Sequence, residues 1–67
     1  MTTQSDARQL LRLEEISART GVPVSTLRYY RHRDRGEGPP TFRLGRRVVA
    51  YVEDVDAWVA AHRRAAS

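Results

Sequence analysis

The 67-residue chain contains no cysteine, and all twelve of its basic residues are arginine. Without cysteine, no disulfide can brace a small fold and no thiolate can bind zinc. Long apolar runs are also missing. Nothing approaches the roughly 20 residues that span a bilayer, and no apolar segment of a secretory leader follows the N-terminus. A cytoplasmic location is therefore expected. Aromatic residues are few, with one Trp, one Phe and three Tyr, and these should supply much of the buried area. A chain of this length holds one domain of marginal stability.

Reactive constellations are equally scarce. His32 and His62 are the only histidines. No Ser-His-Asp set, working carboxylate pair or glycine-rich phosphate loop is recognisable. Glu53, Asp54 and Asp56 read as acids at a helix start rather than as a metal cluster. No enzymatic activity, cofactor, metal or small-molecule ligand is expected, and so short a chain offers little room for a closed pocket.

What is present is positive charge, unevenly placed. The formal net charge is +4. Residues 28–47 carry seven Arg against two acids, net +5, while residues 1–27 are neutral and residues 48–67 carry net −1. Such a concentration is the electrostatic footprint of a phosphate-binding surface. Arginine also makes bidentate contacts to phosphate and guanine edges that lysine makes less well. A GC-rich coding bias towards Arg is compatible with the same composition.

Residues 1–9 are polar and without period, and read as a loose tail. Residues 10–64 form the expected domain, and 65–67 a short C-terminal tail. Leu10, Leu11 and Leu13 open the folded part. A short helix is predicted over 13–20, with Glu14 and Glu15 favoured in its first turn and Leu13, Ile16, Ser17 and Thr20 sharing a face. Gly21 ends it in a left-handed conformation. Val22-Pro23 makes a turn into a second helix, about Val24 to Arg33, since proline is tolerated at a helix start. Residues 34–40 break the periodicity.

Segment 41–52 is predicted as a β-hairpin with a turn at Gly45-Arg46-Arg47. Its inward set is either Val48/Ala50/Val52 or Val49/Tyr51. Alternation does not settle the choice, and the first is preferred. A last helix is expected over about Glu53–Arg64, with Val55, Trp58, Val59 and His62 as its apolar stripe.

Helix, glycine turn, helix, hairpin and helix together give a mainly α fold with a small β-hairpin, a winged helix-turn-helix. Ser17 suits the helix crossing, Gly21 the turn, and Val22, Leu27 and Tyr30 the apolar positions that follow. At about 100° per residue, Val24, Leu27 and Tyr30 face inwards on the second helix. Ser25, Arg28, Tyr29, His32 and Arg33 face away, with Thr26 and Arg31 on the flanks. Recognition helices put their N-terminal residues against base edges in the major groove. Ser25, Arg28 and Tyr29 are the candidates for base contact, and Arg31, His32 and Arg33 for phosphates. Arg46 and Arg47 at the wing tip, with Arg43 beside them, suit a minor groove or backbone.

The stretches LEEISARTGVPVSTLRYYR and GPPTFRLGRRVVAYVEDVDAW resemble the excisionase and AlpA-type proteins of phages and integrative elements, within the MerR-like winged-helix superfamily. The resemblance covers about residues 10–64. It implies a protein that binds double-stranded DNA, with Ser25, Thr26, Arg28 and Tyr29 in or near the major groove and Arg46 and Arg47 in the wing. It further implies Trp58 in the core and Tyr51 facing DNA or solvent. The function it points to is an excisionase, or recombination directionality factor: copies on adjacent sites would bend DNA and assist an integrase, with cooperative self-association on the DNA. A small transcription regulator is the alternative. The long dimerisation helix and effector domain of MerR regulators have no counterpart here, so ligand sensing of that kind is not expected. A bacterial host and association with the nucleoid follow from the same resemblance.

Overall fold

The computed structural model describes residues 9–66; residues 1–8 of the tail predicted over 1–9, and Ser67, lie outside the described residues, while Gln9 is tied to the fold by its carbonyl, which accepts from Val52 N–H at 3.1 Å. The elements run β1 (Leu10–Arg12), α1 (Leu13–Thr20), α2 (Val24–Arg33), β2 (Phe42–Leu44), β3 (Arg47–Tyr51) and α3 (Val52–Ala66). The winged helix-turn-helix expected from the sequence is the observed architecture, with one addition. The wing is the outer part of a three-stranded antiparallel sheet in the order β1-β3-β2. The strand β1 was not expected. It is three residues long, too short for an alternation signal, and it is held by its partner: Leu10, Leu11 and Arg12 stand opposite Tyr51, Ala50 and Val49.

Strand β1 runs directly into α1. The Arg12 backbone N–H donates to Glu15 Oε1 at 2.8 Å, so an acid three residues into the helix satisfies a donor at its start. Gly21 closes α1 at φ 83° and donates its N–H to Ser17 O at 2.8 Å, as the sequence led one to expect. Thr20 Oγ1 donates to Ile16 O and accepts from Val22 N–H, which holds the turn. Pro23 then precedes α2, and its carbonyl accepts from Thr26 and Leu27 N–H. The helix ends at Asp34, which is left-handed at φ 52° and donates its N–H to Tyr30 O at 3.0 Å.

The hairpin turn is tighter than predicted. Arg47 is the first residue of β3, opposite Leu44, so the turn is Gly45-Arg46 alone. Gly45 has φ 65°, and Arg46 is not left-handed, the φ pattern of a type II′ turn, whose twist matches that of the strands it joins. The inward set on β3 is the preferred one. Ala50 is fully buried, and Val48 and Val52 pack against the core. Val52 does so as the first residue of α3, not as a strand residue. Val49 lies on the opposite face and is nonetheless buried, because β3 is the central strand and its neighbours cover it. Tyr51 shares that outer face, its ring 5.4 Å from that of Phe42, so it turns away from the core as expected.

The core consists of Leu11, Leu13, Ile16, Leu27, Ala50 and Val55, with Val22 and Val24 at its edge. The apolar stripe predicted for α3 holds for its first turn only. Val55 is completely buried, Val59 is 42% exposed, and His62 is exposed. Trp58 is half-buried and lies outside the core cluster, a correction to the expected core role. Its indole N–H is the reason: Nε1 donates to Glu37 O at 3.1 Å, which draws the ring towards the loop after α2. His62 packs its ring 4.5 Å from that indole. The helix continues to Ala66, two residues beyond its expected end.

Candidate nucleic-acid interface

Helix α2 is positioned by its own apolar side. Leu27 is buried, and Val24 and Tyr30 are half-buried. The loop behind α2 comes so close that a Cβ on Gly38 would lie 2.9 Å from Tyr30 Cβ. The opposite side is left to solvent. Ser25, Arg28, Tyr29, Arg31 and His32 are exposed, while Thr26 and Arg33 are half-buried. Reading the helix by angle therefore sorted its two faces, except that Arg33, expected outward, is half-buried and Arg31, expected on the flank, is exposed.

The wing stands next to this face. A shallow cleft separates α2 from β3 and the hairpin turn, and Arg28, Arg46 and Arg47 line it. Those three candidates come from two different segments, and the fold brings them together. A fourth arginine joins them, since Arg12 lines the same cleft. Arg12 lies outside the basic stretch, and no local pattern distinguishes it from any other arginine. Only the pairing of β1 with β3 puts it there. Glu14 also lines the cleft, so the cluster is not uniformly positive.

Other candidates are placed differently. Arg31 donates from Nη1 to Thr41 Oγ1 at 2.9 Å, which ties the end of α2 to the start of the wing. Arg33 donates from Nη1 to the Tyr29 hydroxyl at 2.6 Å and pairs through Nε with Glu37 Oε1 at 3.3 Å. Arg43 is exposed on β2 and does not line the cleft. Ser25, Thr26 and His32 lie on α2, also outside the cleft.

One further ion pair holds the frame. Arg19 on α1 meets Asp56 on α3 through two parallel contacts, of 2.8 and 2.9 Å. The hydrogen bonds from Arg19, helped by its charge, hold the Asp56 carboxyl below the ordinary aspartate range. Among the described residues, no three His, Asp or Glu side chains are grouped to hold a metal ion. Among the described residues, no helix is long and apolar enough to cross a membrane.

An exposed helix face beside an arginine-lined cleft is an arrangement that can take a phosphate backbone and read the groove next to it. The comparison with protein families agrees with that chemistry. Residues 9–64 match the family described as prophage CP4-57 regulatory protein (AlpA). Neither the curated proteins nor the solved structures give a match. With nearly all of its folded part matched, the chain belongs to the AlpA family of prophage regulatory proteins, small DNA-binding regulators.

Proposed function

We propose that the protein docks on double-stranded DNA with α2 in the major groove and the wing on the adjacent backbone or minor groove. It acts there as a non-enzymatic regulator that occupies or bends a promoter. The observation that carries this reading is the cleft in which Arg12, Arg28, Arg46 and Arg47 converge from three parts of the chain. Guanidiniums placed this way neutralise phosphates and displace condensed counterions. Ser25, Thr26, Arg28 and Tyr29 are then the groove-facing set, and Arg43, Arg46 and Arg47 the wing contacts. One domain offers few base contacts, so binding of neighbouring copies would add to its selectivity. The site of action is the nucleoid of a bacterial cytoplasm.

The family's description as a regulatory protein favours promoter binding. Excision with an integrase is the second reading, supported by the hairpin-to-helix stretch GPPTFRLGRRVVAYVEDVDAW, which resembles excisionase-type proteins. Affinity for duplex DNA, measured against salt concentration, tests the docking itself. The log affinity should fall linearly with log salt at a slope of about −0.9 for each phosphate neutralised. A flat response would remove the proposal. A recombination assay with purified integrase, with and without the protein, separates the two roles: unchanged excision leaves the promoter reading alone.

A further inference from the structure

On the outward side of α2, Arg33 is engaged with a second residue of the same face. Arg33 donates to the Tyr29 hydroxyl at 2.6 Å, lies 5.3 Å from the centre of the Tyr29 ring, and is paired with Glu37 at 3.3 Å. Glu37 is held in turn, because its carbonyl accepts the indole N–H of Trp58. A chain of contacts thus runs from α3 through the loop to Tyr29, which is 51% exposed on the recognition face.

The polarity of this chain has a chemical consequence. A guanidinium has donors and no acceptor, so the Tyr29 oxygen must accept the bond from Arg33. The phenolic hydrogen is then left to point elsewhere, and the exposed side of the ring is where it is available. We infer that Arg33 is a positioning residue that presets Tyr29 as a hydrogen-bond donor, so that Tyr29 reads an acceptor on the DNA. This inference rests on the DNA-docking reading above. Acceptors available to it are a phosphate oxygen, guanine N7 or O6, adenine N7 and thymine O4. The amino groups of cytosine and adenine are donors and are not read by a hydroxyl oriented in this way. Glu37 neutralises Arg33, which accordingly does not add a phosphate contact of its own.

The test uses the full chain and a duplex selected from a random pool by the wild-type protein, with affinity measured by fluorescence anisotropy over a range of salt. Tyr29→Phe removes the hydroxyl and should weaken binding about ten-fold, the worth of one hydrogen bond. Arg33→Ala should produce a loss of similar size while leaving the salt slope unchanged. The double variant should bind no more weakly than either single one, because the two residues act as a unit. Arg33→Lys keeps a charged donor with no acceptor, although without the planar fork, and it should restore part of the affinity lost in Arg33→Ala. It also serves as the second variant if Arg33→Ala lowers the melting temperature. A salt slope reduced by about one unit in Arg33→Ala, with losses that add to those of Tyr29→Phe, would make Arg33 an independent phosphate contact and overturn the inference alone. Failure of the wild-type protein to bind duplex DNA would instead remove the docking reading, and this inference with it.

Discussion

At the scale of single residues, position decides what each arginine does. Arg28 lies on the second turn of α2 beside the cleft, and Arg46 sits at the hairpin turn. Replacing Arg28 with Ala should relax base preference, at about 1–3 kcal/mol of lost discrimination, whereas Arg46→Ala should weaken binding evenly and lower the salt slope by about one. Competition between the selected duplex and random DNA measures the difference. Equal losses on both DNAs for both variants would refute this division. Arg12 should behave like Arg46. Its place in the cleft was not legible in the sequence, because a strand pairing between residues nearly forty apart creates it. Asp34 is a different case. It is the one described non-glycine residue with positive φ, and it places a negative charge at the C-terminal end of α2. Both features are unfavourable. Asp34→Gly should therefore stabilise the fold, by up to about 1 kcal/mol, seen as a melting temperature a few degrees higher. A lower melting temperature would count against the strain argument.

At the scale of elements, the helices were readable and the sheet only partly so. Helix α1 has its acids, its inward face and its terminal glycine within the nine residues 13–21, and α2 begins at a proline that can only suit a start. These are local signals, and they gave the observed bounds. β1 has no such signal, and α3 misleads in the other direction. Its stripe of Val55, Trp58, Val59 and His62 has perfect helical spacing, yet among the described residues no element covers the second half, and residues 59–66 are exposed. Periodicity reports which side chains share a face, not how far the neighbouring element extends. Val55→Ala should cost about 2 kcal/mol or more, from lost transfer free energy plus the cavity left behind. Val59→Ala should stay within about 0.5 kcal/mol. Urea unfolding of the two variants gives the comparison, and similar midpoints would mean that α3 is packed along its whole length.

At the scale of the whole molecule, every element except the exposed β2 contributes to one small core, and surface ties add to it. The Arg19–Asp56 pair links α1 to α3, and its effect depends on pH. Asp56 has a folded pKa below its ordinary value. Its contribution is present above the unfolded pKa, near 4, and is lost as pH falls through the lowered folded value. Both side chains are about half exposed, so the effect is small. Asp56→Asn should lower the urea midpoint slightly at neutral pH and flatten the acid side of the stability profile. An unchanged acid limb would mean that the pair contributes nothing in solution. Among the candidate residues, helix faces and the basic stretch were legible because they depend on spacing alone. The convergence of Arg12, Arg28, Arg46 and Arg47 was not, since it depends on the order of strands in the sheet.

That strand order has a mechanical side. β3 bonds to the wing strand along one edge and to the lead-in of α1 along the other. The wing is therefore not a free arm that folds down after contact. It shares a backbone ladder with β1, which leads directly into α1 and the turn to α2. On the proposed docking, a duplex that satisfied both α2 and the wing would have to take the spacing the protein already has, so the protein would serve as a gauge and the DNA would supply any bend.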